Sequence, residues 1–113
     1  MIEGFTESAI VIVNLVNPRE KFWGKLLSMS PVGVTLRGIN LDTFDDWMRQ
    51  IRRAEPGEQT LDLATMFVPI SRVERIFLDE PVGTVRSFSQ QFEQVTGMSP
   101  LEYLGDIPPS KEM

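Results

Sequence analysis

Three aspartates, Asp42, Asp45 and Asp46, stand close enough in the chain to hold a hard cation or to share acid–base work. Just after them come Arg49, Arg52 and Arg53, with Trp47 alongside. Guanidinium groups beside an indole can grip a phosphate while the ring stacks on a base. Arg72 is a fourth cation of interest, next to a run of apolar residues. Each cluster also has a plainer reading. Acidic residues in the first turn of a helix and basic ones in its last turn complement the helix dipole, and Asp45 is four residues from Arg49, the spacing of a surface ion pair. No glycine-bearing calcium loop surrounds the aspartates.

The chemistry that the composition excludes is broader. The chain has no histidine and no cysteine. Ser-His-Asp and Cys-His catalysis, thiolate metal sites and disulfides are therefore ruled out. Neither G-x-G-x-x-G nor G-K-[ST] occurs, so no phosphate-cradling loop is present. No catalytic, metal-binding or cofactor-binding set assembles from these residues, and the chain reads as a non-enzyme. The net charge of −5 comes mostly from the two ends, and the middle is about neutral. No basic block marks general nucleic-acid binding, and no polybasic patch marks a membrane surface. The apolar run Ala9–Val16 is too short to span a bilayer. The expected location is cytoplasmic, with no membrane partner.

These residues need elements to position them. The 113 residues suffice for one core, and the apolar share of 42% is that of a globular domain. Ala9–Val16, rich in β-branched residues and followed by Asn17-Pro18, predicts strand 1. Lys21–Ser28 predicts strand 2, with Gly24 at a bend. Val32–Ile39 predicts strand 3. The period then changes: Leu41, Phe44, Trp47, Met48 and Ile51 predict an amphipathic helix over 41–53, capped by Asn40 and stopped at Pro56-Gly57. Leu61–Pro69 and Arg72–Leu78 predict strands 4 and 5. Val85, Phe88, Phe92 and Val95 predict a second helix, capped by Thr84 and closed by Gly97, and Ser99-Pro100 opens a short third one. A loose tail is expected from Ile107. The expected units are residues 1–80, strands with a helical insert, and 81–113, a helical extension packed on them or on a neighbouring subunit.

The adjacent Phe22 and Trp23 point to opposite faces of strand 2. One is core; the other lies outside, under a helix or against a neighbouring subunit, and Trp23 is a candidate for that contact.

The order of elements, and certain residues within it, resemble the Sm-like family, including its bacterial Hfq-type members. Leu15-Val16-Asn17, a turn and then Gly24-x-Leu26-x-Ser28 look like the family's first motif. Val32–Arg37 matches its third strand. Phe67-Val68-Pro69-Ile70-Ser71-Arg72-Val73-Glu74-Arg75-Ile76 looks like its second motif. The resemblance covers about Ala9 to Leu78. It implies a mainly β fold: a five-stranded, strongly bent antiparallel barrel with a helix inserted between strands 3 and 4 and a helical extension after strand 5. It also implies a homo-oligomer, a ring among the forms, assembled by pairing strand 4 of one subunit with strand 5 of the next. Thr65, Phe67, Val73 and Ile76 are the interface candidates on those strands. The family's post-transcriptional RNA regulation implies RNA as an alternative partner, with Arg72, Arg49, Arg52 and Arg53 as candidate contacts. The family's RNA-contacting positions do not carry over one by one. Ser30 stands where the family has an aspartate, Val32 or Gly33 where it has a base-stacking side chain, and Val68-Pro69 where it has basic and polar residues.

A second, local resemblance runs from Phe88 to Tyr103, which looks like the closing segment of AraC-type DNA-binding domains. Glu93 and Gln94 stand at its usual basic positions, and a groove reader needs cationic contacts to phosphate. Helix capping alone explains the spacing of Gly97, Ser99 and Pro100. DNA is not an expected partner.

Overall fold

The computed structural model describes residues 3–55 and 63–104. The expected helix stop at Pro56-Gly57, the start of strand 4 at Leu61 and the tail from Ile107 lie outside them. The protein is mainly β. Strands β1 (Ile10–Leu15), β2 (Glu20–Ser30) and β3 (Gly33–Asn40) are followed by a 3-10 turn (Leu41–Thr43) and helix α1 (Phe44–Arg53). Strand β4 (Ala64–Pro69), a second 3-10 turn (Ile70–Arg72), strand β5 (Val73–Leu78) and helices α2 (Phe88–Thr96) and α3 (Pro100–Leu104) complete it. All strands lie in one antiparallel sheet, in the order β4-β3-β2-β1-β5. Among the described residues no helix is long and apolar enough to cross a membrane.

Alternation along the strands gives the sheet two buried faces. Val11, Val13 and Leu15 of β1 point to one, with Leu26 of β2, Val34 and Leu36 of β3 and Val68 of β4. Val73, Ile76 and Leu78 of β5 pack against this cluster, called here the interior cluster. Ile10, Ile12, Trp23 and Ile39 point to the outer face, where α1, α2 and α3 cover them. That outer cluster is aromatic. Trp23 lies 5.0 Å from Phe44, and Trp47 lies 5.2 Å from Phe92 and 5.5 Å from Tyr103, centroid to centroid.

Gly24 and Gly38 are directly opposed in the β2–β3 ladder. A Cβ on Gly38 would sit 2.0 Å from the Trp23 carbonyl oxygen, and one on Gly24 2.3 Å from that of Arg37. Only glycine at both positions lets the two backbones come this close. The close approach at Gly24, where a bend was expected, thus involves a pair of glycines, one from each strand.

Two expectations are corrected. The sheet is not closed: β4 and β5 are its two ends, and no ladder joins them. The connection between them is spent on the strands behind it. The Ile70 N–H donates to the Val32 carbonyl (2.9 Å) and the Val16 N–H to the Arg72 carbonyl (2.9 Å). The second helix starts at Phe88, not near Val85, and its cap is Ser87, not Thr84. Ser87 Oγ accepts from the Gln90 N–H while the Gln90 side chain accepts from the Ser87 N–H, a capping box that Thr84 cannot form. In the first helical segment Asn40 caps the 3-10 turn, accepting from the Asp42 N–H at 2.8 Å, and the α-helix proper follows.

Candidate functional site

The residues singled out for chemistry do not converge. Asp42, Asp45 and Asp46 are all exposed. Asp45 pairs with Arg49 at 2.8 Å across one helical turn, the ordinary surface arrangement. Among the described residues no group of three or more acidic side chains could hold a metal ion. Arg52 and Arg53 are exposed at the last turn of α1, while Trp47 beside them is fully buried and has no face to offer a base.

Arg72 is spent within the fold. Its Nε donates to the Val16 carbonyl (3.0 Å), and its Nη2 donates to the Pro18 carbonyl (2.7 Å) and to Glu20 Oε1 (3.0 Å). The guanidinium thereby ties the β4–β5 connection to the β1–β2 turn. Trp23, a candidate for a subunit contact, is completely buried under the chain's own helices, the other cover its strand position allowed. Its period-2 position was sound, but the element that covers it comes from far along the sequence. Sequence reasoning missed its indole partner, Asp79. This carboxylate accepts from Trp23 Nε1 (2.9 Å), from the Phe88 N–H (2.9 Å), and from the Ser89 N–H and Oγ (2.7 and 2.6 Å). It clamps the start of α2 to the sheet at the point where the helix dipole favours an anion. The signal was there to read, since an aspartate one residue past an apolar strand and before a helix is a natural clamp.

What remains exposed and apolar lies mainly along the two edge strands. Near β4 these residues are Phe67 (55% exposed), Val32 and Ile70; at β5 and just past it they are Phe77 (45%), Val82 and Val85. Phe67 lies over Gly33, where a Cβ would come within 2.4 Å of its ring. Thr65 is exposed beside it and accepts a hydrogen bond from Arg37 at 3.2 Å. Val73 and Ile76 are half-buried against the interior cluster.

The backbone groups of both edges can be assigned from the ladders. Because Ile70 donates to Val32, every second residue of β4 from Val68 back faces β3, and the N–H and C=O of Thr65 and Phe67 face outward. The Asp79 N–H donates to the Ile10 carbonyl at 2.9 Å. Phe77 and Arg75 therefore face β1, and the N–H and C=O of Ile76 and Leu78 face outward. Each edge thus presents two adjacent outward pairs of peptide groups beside an exposed phenylalanine.

No family model matches the chain, and neither a curated protein nor a solved structure matches it.

Proposed function

We propose that the protein is a non-catalytic, Sm-like interaction module that assembles with copies of itself, the β4 edge of one pairing with the β5 edge of the next. The observation that carries this reading is the complementarity of the edges. Uncovered, apolar edge strands are templates for pairing, and here both ends of one sheet are of that kind. Hydrogen bonds between the outward groups of Phe67 and those of Ile76 align the strands antiparallel. Phe67 then lies on the same side as Ile76, against the interior cluster of the next copy. Met66 falls opposite Phe77.

The connection between the edges supports a rolled, barrel-like sheet. Five flat strands would hold the outer two about 19 Å apart, at about 4.8 Å per spacing. Only Ile70–Arg72 join Pro69 to Val73, a path of at most about 14 Å even fully extended. So short a link favours a curled sheet with its open seam between β4 and β5, where an incoming Phe67 would fill it.

Light scattering and cysteine cross-linking test the reading. The chain has no cysteine, so introduced thiols report without background. Wild-type protein is expected to be oligomeric, and Met66→Cys with Phe77→Cys is expected to yield covalent multimers under mild oxidation. A strict monomer at high micromolar concentration overturns the reading.

A further inference from the structure

The segment between β5 and α2 holds two valines in the open. Val82 is 71% exposed and Val85 66%, yet the turn that carries them is ordered by reciprocal hydrogen bonds. The Val82 N–H donates to the Val85 carbonyl (3.0 Å) and the Val85 N–H to the Val82 carbonyl (2.9 Å). Gly83 supplies the positive φ, +60°, that so tight a turn requires. The turn is fixed at both ends, by β5 on one side and by the Asp79 clamp on α2 on the other. A cleft of ≈ 180 Å³ runs beneath it, lined by Ile12, Phe77 and Phe88 among others. Ordered apolar residues left mostly exposed beside one another mark a contact surface.

We propose that Val82, Val85 and Phe77 form a shelf that receives the beginning of β4 from a second copy of this chain. The inference rests on the edge-pairing reading above and adds to it a second contact. Two considerations, both resting on that pairing, identify the occupant. With Phe67 opposite Ile76, the antiparallel alignment places Ala64 of the incoming strand opposite Asp79, so the first residues of β4 lie along the turn. Ala64 and Thr65 there are small and exposed, which allows the turn a close approach. The second is one of area. A six-residue strand is about 20 Å long. A strip of that length and one side chain in width falls well short of the about 800 Å² per partner found in stable interfaces. The shelf is contiguous with β5 and enlarges the contact where the strands end.

The double substitution Val82→Ser with Val85→Ser tests this in the full chain, followed by sedimentation equilibrium beside wild type and Phe67→Glu. Both valines are exposed, so the thermal midpoint of the dissociated chain should not change. The expected result is an assembly whose dissociation constant rises about tenfold or more, since the apolar area of two valines is no longer covered. Phe67→Glu is expected to abolish assembly. If wild type assembles, Phe67→Glu does not, and the serine variant assembles as tightly as wild type, the shelf is overturned and the edge pairing stands. If wild type stays monomeric, the edge pairing itself fails and the shelf fails with it.

Discussion

The two faces of the sheet are built in opposite ways. The interior cluster is aliphatic: Val11, Val13, Leu15, Leu26, Val34, Leu36 and Val68, all from strands. The outer cluster joins Trp23 and Ile39 of the sheet to Phe44, Trp47 and Met48 of α1, Phe92 of α2 and Leu104 of α3. Small branched side chains suit a face where neighbouring strands already supply the contacts. Large rings suit a face that must reach across to helices, because one ring contacts several elements at once. Trp23 alone has Phe44, Trp47 and Phe92 around it. The interior is therefore held by many similar contacts, and the outer face by a few large ones and a polar clamp.

The widest test of that contrast is to remove one large residue from each face. Trp23→Ala should cost about 4 kcal/mol and Leu26→Ala about 3 kcal/mol, as for large-to-small changes in well-packed cores. The difference in kind matters more than the difference in size. Trp23→Ala deletes the ring on which α1 and α2 rest, so near-ultraviolet circular dichroism should collapse. Leu26→Ala should lower the urea midpoint and leave the aromatic spectrum in place. Equal spectra from the two variants would break the comparison.

Asp79→Ala sharpens it by removing the clamp and leaving every ring. The change strips the partner from the Trp23 indole N–H, from two backbone N–H groups at the start of α2 and from the Ser89 hydroxyl. Hydrogen bonds to a charged group contribute about 1.5–3 kcal/mol each, and the start of α2 is only half-buried, so water replaces some of them. The expected cost is about 2–3 kcal/mol. Hydrogen exchange should locate it: amides of α2 lose protection well before those of β1 and β2. Uniform loss across the chain would mean that the helices and the sheet open as one unit.

Much of the fold was legible because it rests on local periodicity. The β-branched run at Ala9–Val16 and the helical spacing from Leu41 to Ile51 both correspond to elements of the sheet and its cover. The start of α2 was misplaced because Val85 fits the helical period, whereas the capping box that sets the boundary depends on Ser87 and Gln90 together. The cover of Trp23 was left open between a helix and a neighbouring subunit because period 2 tells which face a residue occupies and not what covers that face. The candidate surface was half legible. Thr65 and Phe67 stand on an open edge, but the shelf at Val82 and Val85 arises from a turn that no periodicity announces. Arg72 shows the same limit for charge, since a sequence displays a cation and not the carbonyl groups that will claim it.

Arg72 and Arg49 therefore make the finest comparison, two arginines once grouped as candidate ligand contacts. Arg72 holds two backbone carbonyls and Glu20, and its side chain is about two-thirds covered, at 31% exposure. Arg49 pairs with Asp45 and is 58% exposed. Arg72→Ala leaves the Val16 and Pro18 carbonyls to find water and frees the β1–β2 turn from the connection between β4 and β5. A cost of about 1–2 kcal/mol is expected, most of it persisting in high salt because bonds to carbonyl groups are little screened. Arg49→Ala should cost about 0.3–0.5 kcal/mol, the size of an exposed pair one helical turn apart, and should fade as salt is added. Urea titrations of both variants at low and high ionic strength read the two effects directly. Equal, salt-sensitive losses would show that Arg72 acts as a surface charge after all, and would return it to the candidates for binding an anionic partner.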